Sequence, residues 1–477
     1  MNGLPFIGRQ SELKSLNDLT KKKTSSLVVI QGRRRIGKSR LAAEFAKTYK
    51  FFRFSGLPPL KETSAQNERD AFSSQLAAHD LPVLKADDWS DLFRYLARET
   101  QKGRVVILFD EISWMGSKDP QFLGKLKNAW DLEFKNNPQL ILILCGSVSA
   151  WIEENILKST GFMGRLSLAI QLDELTLPEC NQLLKAIGFH GNQYEIFKIL
   201  SVTGGVPRYL EEIKPDRLAE ENIKDLCFKK GSILSNEFEN IFSDIFSRRN
   251  EVYKKIVESL MGGVKELSEI AQCIGMEMGG NVTQYLFDLV VSGFIKRDFT
   301  WDIKGEKLSK LSHYRLSDNY LRFYLKYIAK NKQKIERGLF DEKSLTTIPG
   351  FDSIMGLQFE NVVLNNRKSI WEKLNVHADS IITDNPYFQR QQIRKKGCQI
   401  DYLIQLKIRM LYACEIKFSR QEIKTSVIDE MKEKLSRLHL PRGFAVAPVL
   451  IHVNGVSEAV VEQEYFSHII NFSDFLT

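Results

Sequence analysis

Residues 32–39 read G-R-R-R-I-G-K-S and fit the phosphate-binding pattern G-x-x-x-x-G-K-[ST]. Glycines in such a loop let backbone N–H groups curl around phosphate oxygens, and the N-terminus of the following helix adds its positive end. The Lys38 ammonium would reach the β- and γ-phosphates of a nucleotide, and the Ser39 hydroxyl would ligate Mg²⁺. We therefore expect a nucleotide site whose members are Gly32, Arg33, Arg34, Arg35, Ile36, Gly37, Lys38, Ser39 and Arg40.

An acidic pair, Asp110-Glu111, follows the apolar run 105–109. Asp110 would hold Mg²⁺ through water, and Glu111 would orient or deprotonate the water that attacks the γ-phosphate. The alternative is that the pair is an acidic N-cap of the next helix. We expect the phosphate loop to lie on a neighbouring strand, and this favours the catalytic interpretation.

A small polar residue, Ser147, follows the apolar run 140–144 after one glycine. A hydroxyl at the end of this strand would face the γ-phosphate and act as a sensor. Small residues after a strand are also ordinary turn formers. The sequence leaves both interpretations open.

A second set of chemically capable residues lies in the last third of the chain. Glu360 is on a predicted helix, Asp401 is within the apolar strand 399–403, and Glu415 and Lys417 end the next strand. Alternation with period two places the last two on one face, and a carboxylate on an apolar strand is costly to bury unless it binds something. Asp401 and Glu415 could share Mg²⁺ or Mn²⁺, because oxygen ligands favour these ions over zinc. Lys417 could orient water or stabilise charge on a phosphate. The alternative is two strands with edge carboxylates and a lysine whose ammonium reaches solvent.

The elements that must position these residues change along the chain. Residues 1–175 alternate apolar strands at 27–30, 105–109, 140–144 and 168–172 with helical stretches, which predicts an α/β doubly wound parallel sheet. Residues 176–245 have helical apolar spacing and would form a helical lid. Residues 246–330 predict three helices and a two-stranded wing, a winged helix-turn-helix. A charged linker over 330–345 then precedes an α/β domain at 346–477, with helices near 351–368 and 427–438 and strands at 399–405, 410–416, 444–453 and 469–472.

The predicted winged helix carries a weak nucleic-acid signal. Its third helix offers Asn281, Thr283, Gln284 and Asp288, with no lysine or arginine on the exposed face. The wing carries basic residues that are candidates for phosphate contacts, whereas base readout is poorly supported. These are Lys296, Arg297, Lys304 and Lys307. A protein-interaction or regulatory module is the alternative.

Composition narrows the class of protein. The 477 residues are 43% hydrophobic and 27% charged, so each domain can bury a core and global disorder is excluded. The net charge of +9 permits DNA as a partner without requiring it. The six cysteines show no C-x-x-C spacing, a secretory signal is not seen, and the longest apolar run, 140–145, is too short to span a bilayer. We expect a cytoplasmic protein without a membrane partner, and a homo-oligomer or a regulatory protein partner is compatible with the sequence.

Several motifs occur together in the order of a known group. The sequence resembles archaeal and bacterial ATPases near the STAND branch of the AAA+-like P-loop NTPases, and this resemblance implies ATP rather than GTP, since an Asn-Lys-x-Asp guanine reader is not present. By the same resemblance, Arg165 would sense the γ-phosphate, and Pro207 would lie in a lid motif close to the nucleotide. The motifs are F-I-G-R at 6–9 with E-L at 12–13, the phosphate loop, L-F-D-E-I at 108–112, G-S-V-S at 146–149, M-G-R at 163–165, G-G-V-P-R-Y-L at 204–210, and Y-R-L-S-D at 314–318 with L-R-F at 321–323.

The carboxylate pattern of the last third resembles the PD-(D/E)xK nuclease superfamily, whose fold is restriction-endonuclease-like. The resemblance implies that Glu360 is the helix carboxylate, Asp401 the central metal ligand, Glu415 the second ligand and Lys417 the catalytic lysine. The proline of the motif is absent, because Gln399-Ile400 precede Asp401. Together the two resemblances predict an ATP-dependent switch that carries a metal-dependent DNA nuclease. The alternative is a regulatory or signalling ATPase whose C-terminal domain binds nucleic acid or a partner without cleavage.

Overall fold

The structure is a computed structural model, and it describes residues 4–58, 62–147, 149–246, 250–340, 344–391 and 396–477. The chain forms two compact units. The first unit is Phe6–Glu174, and the second is made of Leu175–Phe242 with Arg248–Thr477. In the described stretches, no helix is both long and apolar enough to cross a membrane.

The first unit alternates helices and strands along the chain. Its elements are α1 (Gln10–Leu19), β1 (Ser26–Gln31), α2 (Lys38–Ala46), β2 (Lys50–Ser55), α3 (Ala65–Leu76), α4 (Trp89–Glu99), β3 (Val105–Asp110), α5 (Ile112–Met115), α6 (Phe122–Leu132), β4 (Leu140–Gly146), α7 (Ser149–Ile152) and β5 (Leu166–Gln171). The strands form one parallel sheet in the order β2-β3-β4-β1-β5. Every residue of β1, β3 and β4 is buried, as expected for central strands of a sheet that is covered on both faces. The predicted α/β parallel sheet is confirmed.

Two features of this sheet differ from the sequence prediction. Strand β2 was not predicted, because it lies at the sheet edge and its exposed Lys50 and Arg53 interrupt the apolar pattern. The expectation that the phosphate loop and Asp110 follow neighbouring strands is wrong. Strand β4 lies between β1 and β3 in the sheet, since strand order depends on long-range pairing rather than on chain order.

The second unit begins with helices and ends with a mixed sheet. Its elements are α8 (Leu177–Ile187), α9 (Gln193–Thr203), α10 (Pro207–Leu210), α11 (Ala219–Cys227), α12 (Ile233–Phe246), α13 (Asn250–Ser259), α14 (Leu267–Ile274), α15 (Gly280–Val291), β6 (Ile295–Asp302), β7 (Lys307–Leu316), α16 (Asn319–Phe323), α17 (Ala329–Glu336), α18 (Phe351–Leu364), α19 (Arg367–Lys373), β8 (Ile381–Gln389), β9 (Cys398–Leu406), β10 (Met410–Lys417), α20 (Ser426–Arg437), β11 (Ala445–His452), α21 (Glu458–Glu462) and β12 (His468–Asn471). Helices α13 to α15 and the antiparallel hairpin β6–β7 follow the order predicted for a winged helix-turn-helix.

The C-terminal strands form a five-stranded sheet in the order β12-β11-β10-β9-β8. Strands β8, β9 and β10 are antiparallel, whereas β10, β11 and β12 are parallel. Strand β8 was not predicted because Pro386 interrupts it. A proline is compatible with a strand at a sheet edge, where one N–H can stay unpaired. The linker prediction over 330–345 is wrong at its start, since α17 covers Ala329–Glu336.

The hairpin β6–β7 packs into the core of the C-terminal sheet. Trp301 and Ile303, each 2% exposed, belong to one hydrophobic cluster with the fully buried Leu403 and Leu411. The Trp301 indole Nε1 donates to Gln405 Oε1 over 2.6 Å, and Gln405 Nε2 donates to the Ile303 carbonyl over 2.9 Å. One hydrophobic core therefore serves both the hairpin and the sheet.

Buried polar contacts also hold α18 against strand β7 and helix α16. Arg315 Nη1 donates to Asn361 Oδ1 over 2.7 Å, and Arg322 Nη1 donates to Gln358 Oε1 over 3.0 Å. All four side chains are buried. They anchor the helix on both sides of Glu360.

Candidate functional site

The predicted phosphate loop connects β1 to the N-terminus of α2. Gly32 has φ 150°, and a Cβ atom there would lie 2.4 Å from the carbonyl oxygen of Leu172, so no other residue fits without movement of the backbone. Gly37 has φ 94° and caps α2 in the left-handed region. The loop is therefore a tight turn that ends at the positive end of a helix, as phosphate binding requires.

Lys38 is buried, and its ammonium points back into the loop. Its Nζ donates to the carbonyl oxygens of Gly32 and Arg33 over 2.9 and 3.0 Å. Ser39 follows it in the first turn of α2. The loop thus encloses a primary ammonium, which is the cation the sequence assigns to the β- and γ-phosphates.

The other loop residues lie around this turn. Arg33 is buried and pairs with Glu174 at 3.0 Å. Ile36 is buried, and its carbonyl accepts from Arg9. Arg34, Arg35 and Arg40 complete the loop and the first turn of α2. Their contribution to nucleotide binding stays a prediction.

The acidic pair lies at the carboxyl end of β3. Asp110 is 4% exposed, and its Oδ2 lies 2.7 Å from Arg53 Nη2 on the neighbouring strand β2. Glu111 has φ 53°, a strained backbone of the kind found at functional sites. Arg53 was missed by the sequence analysis, because the strand that carries it was not predicted.

Ser147, which the sequence left open as a sensor or a turn residue, contacts the carboxylate of Glu111. The Ser147 backbone N–H and its hydroxyl both donate to Glu111 Oε2, over 3.0 and 2.8 Å. The two residues meet because β3 and β4 are neighbours and end at the same edge of the sheet. This pair fixes the direction of the Glu111 carboxylate.

The two residues carried over from the family resemblance lie further along the chain. Arg165 precedes β5 and contacts both carboxylate oxygens of Asp131 at 2.9 Å. Its guanidinium lowers the pKa of Asp131 to about 2. Pro207 begins α10 in the second unit. Roles for Arg165 and Pro207 at the nucleotide stay predictions.

Comparison with known proteins relates part of this chain to ATPases. Residues 6–213 match a family described as an ATPase domain predominantly from Archaea. This match agrees with the phosphate-binding loop and the parallel sheet of the first unit. An uncharacterized protein of Methanocaldococcus jannaschii is 27% identical over 75% of this chain and 76% of its own length. The solved structure of a Walker-type ATPase from Pyrococcus abyssi superposes with a TM-score of 0.50 and 16% identity, over 67% of this chain and 96% of that one, which shows a shared fold.

The carboxylates predicted for the last third come together in the second unit. Cys414 pairs with Tyr402 in the antiparallel register of β10 and β9, so Glu415 and Asp401 lie side by side. Asp401 Oδ2 accepts from the Ile416 backbone N–H over 3.0 Å, which fixes its position. The predicted helix carboxylate Glu360 and the two predicted metal ligands Asp401 and Glu415 are here called the carboxylate cluster.

Glu360 lies on α18, which packs against β10, the strand that carries Glu415. Burial raises the pKa of Glu360, and the charge of Asp401 raises it further. The same two causes, in the same order, raise the pKa of Glu415. A cation placed among these groups would relieve both effects, because it favours the ionised carboxylates.

Lysines from two elements contact this region. Lys434 on α20 reaches Glu415 Oε2 at 2.5 Å and Asp401 Oδ1 at 3.5 Å. Lys417 instead contacts Glu430 Oε2 at 2.5 Å on the same helix. The sequence analysis missed Lys434, whose contact with the cluster depends on how α20 packs against the sheet. Spacing along the chain carries no signal for it.

The donor set of the carboxylate cluster suits a hard divalent cation. Asp401 and Glu415 present carboxylate oxygens, the ligands that Mg²⁺ and Mn²⁺ prefer. Across the described stretches of the chain, no group of three or more His, Cys, Asp or Glu side chains has the arrangement of a metal site. Two protein carboxylates would leave the remaining positions of Mg²⁺ to water and substrate phosphate, which is how this ion is usually bound.

Proposed function

We propose that this protein is an ATP-dependent switch that controls a metal-dependent nuclease acting on DNA. The observation that carries the nuclease proposal is the side-by-side placement of Asp401 and Glu415 on antiparallel strands, with Glu360 on α18, the helix that packs against β10. Such a buried acidic group is costly unless it binds a cation. The proposal includes a restriction-endonuclease-like domain at 346–477 and the boundaries 1–175, 176–245 and 246–330 for the preceding domains.

In the ATPase domain, each residue would act at one part of the nucleotide. Lys38 would move from the loop carbonyls to the β- and γ-phosphate oxygens, and Ser39 and Asp110 would hold Mg²⁺. Arg53 would have to release Asp110 for this, since it now neutralises that carboxylate. Glu111, oriented by Ser147, would accept the proton of the attacking water.

In the carboxylate cluster, Asp401 and Glu415 would hold Mg²⁺ or Mn²⁺. When bound, the ion would supply charge stabilisation at the scissile phosphate and lower the pKa of a water. Burial and the charge of Asp401 raise the pKa of the Glu415 carboxyl, and a cation bound there would favour its ionised form. Asp401 stays fixed through its bond from the Ile416 N–H.

A regulatory ATPase with a non-cleaving C-terminal domain is the second candidate. One observation favours it: Lys434 already contacts both Glu415 and Asp401. A half-buried lysine paired with these carboxylates can compensate their charge without any metal, because removing one partner of such a pair leaves an uncompensated charge. The two candidates differ in whether the full-length protein cuts phosphodiester bonds.

The test is nicking of supercoiled plasmid and cleavage of single-stranded DNA by the full chain, in Mg²⁺ or Mn²⁺, with and without ATP. We expect metal-dependent cleavage that changes with ATP and that is lost in Glu415→Gln. Glu458→Gln, on the exposed face of α21, is the matched control and should cleave like wild type. A wild-type protein that binds ATP but cuts no DNA under any of these conditions would overturn the nuclease proposal and leave the binding-domain alternative.

A further inference from the structure

Helix α20 and strand β10 face each other through two oppositely charged pairs. On the strand, Glu415 and Lys417 are two residues apart and share a face. On the helix, Glu430 and Lys434 are four residues apart and also share a face. Lys434 contacts Glu415, and Lys417 contacts Glu430. The two lysines therefore differ in their partners: Lys434 pairs with a carboxylate of the cluster, and Lys417 pairs with a carboxylate outside it.

The environments of the two lysines decide which of them can serve the carboxylate cluster. The Lys434 ammonium bridges two members of the cluster, and Glu415 is 4% exposed while Lys434 keeps 30% of its side chain in solvent. Lys417 is directed to Glu430, whose side chain is 46% exposed. Lys434 thus combines contact with the buried carboxylates and access from solvent.

Lys434 also lines a cleft of about 450 Å³. Arg437, one turn further along α20, lines it, as does Gln399 on β9. Gln399 and Asp401 are two residues apart on one strand and so lie on the same face. Arg390 also lines the cleft and is ion-paired with Glu266. Arg390, Lys434 and Arg437 thus give the cleft a basic lining, and Lys434 connects it to the carboxylate cluster through its contacts with Asp401 and Glu415.

We propose that Lys434, presented from α20, is the lysine that faces the scissile phosphate, in place of Lys417, and that the cleft beside it receives one strand of the nucleic acid. This inference rests on the proposed nuclease function. The volume of the cleft suits a short stretch of a single nucleic-acid strand, because a duplex is far wider. Since Lys434 now contacts Glu415, a cation held by the carboxylates would free its ammonium for a phosphate oxygen.

The test compares Lys434→Met with Lys417→Met in the full-length protein, using Lys432→Met on the exposed face of α20 as the matched control. We expect Lys434→Met to lower the nicking rate by about 100-fold, the size of effect seen when one donor to a developing oxyanion is lost. Lys417→Met should retain more of the wild-type nicking rate than Lys434→Met does, and Lys432→Met should cut like wild type. Lys434→Arg, which keeps the charge, should recover part of the rate.

Two further readouts do not depend on cleavage. In titration calorimetry, Mn²⁺ should bind Lys434→Met at least as tightly as wild type, because the variant no longer places an ammonium on the metal ligands. A fluorescein-labelled 20-nucleotide single strand, measured in Ca²⁺ by anisotropy, should bind Lys434→Met and Gln399→Trp about tenfold more weakly than wild type. A thermal melt of each variant without metal separates these effects from loss of the fold.

The possible outcomes separate this inference from the proposed function. If wild type nicks DNA while Lys434→Met nicks equally well and Lys417→Met is inactive, the function stands and the assignment of Lys434 is wrong. If wild type cuts nothing, the nuclease function fails. In that case equal binding of the single strand by folded Lys434→Met and wild type would also overturn the inference, and a selective loss of binding would support the cleft.

Discussion

Trp301→Ala tests whether the hairpin β6–β7 and the C-terminal sheet share one core. The Trp301 side chain is 2% exposed and packs edge-on against Tyr387, with ring centroids 5.0 Å apart. Its removal costs about 3–5 kcal/mol in lost transfer free energy and cavity formation. The side-chain amide oxygen of Gln405 would also lose the Trp301 N–H donor inside the core, which costs about 1–3 kcal/mol more. A combined loss of about 4–8 kcal/mol compares with a total stability of about 5–15 kcal/mol for a typical domain.

Urea denaturation followed by far-UV circular dichroism and by limited proteolysis measures this loss. We expect the second unit of Trp301→Ala to unfold at a much lower urea concentration than wild type. Trp301→Phe is the matched control, because it keeps an aromatic ring and removes the N–H donor, so its loss should be intermediate. A Trp301→Ala protein within about 1 kcal/mol of wild type would show that the hairpin contributes little to the core and would refute the reasoning. Residues 346–477 could then be expected to fold alone, whereas the structure predicts that they do not.

Three further predictions concern the first unit. Lys38→Ala should abolish binding of ATP in calorimetry with Mg²⁺, while Lys47→Ala at the other end of α2 should bind normally; tight binding by Lys38→Ala would contradict the role of the loop. Glu111→Gln should bind ATP with unchanged affinity but hydrolyse it slowly, because it keeps the shape and removes the base; wild-type turnover would move that role elsewhere. Burial raises the pKa of Glu68 to about 7, although its carboxylate accepts from the Leu57 N–H. Since the folded state then binds the proton more tightly than the unfolded chain, stability should fall as the pH rises from about 4.5 to 7. Glu68→Gln should remove this dependence in thermal melts, and an unchanged pH profile would refute it.

The region predicted as a winged helix shows which structural features the sequence pattern can predict and which it cannot. The three helices and the hairpin lie where the apolar spacing predicts them. The basic residues Lys296, Arg297, Lys304 and Lys307 are exposed, as phosphate contacts would need. The apolar residues Trp301 and Ile303 of the same hairpin are buried against the C-terminal sheet. The sequence shows that these side chains are apolar and cannot show which surface covers them.

The sequence by itself determined the features that depend on neighbours in the chain. The phosphate loop is one of them, because its glycines, Lys38 and the start of α2 all lie within a few residues. The fully buried strands β1, β3 and β4 are another, since a continuous apolar run needs no partner to be recognised. The side-by-side placement of Asp401 and Glu415 also follows from two strands joined by a short turn.

Only the tertiary structure decided which distant groups meet. Strand order placed β4 between β1 and β3, and it therefore placed Ser147 beside Glu111. Packing of α20 against the sheet brought Lys434, rather than Lys417, to the carboxylate cluster. Edge strands β2 and β8 carry polar residues or proline, so their sequences lack a clear strand pattern. They are recognised as strands only from their pairing with β3 and β9. In each case the physical reason is the same: side-chain contacts between elements depend on long-range packing, which local propensity and periodicity do not encode.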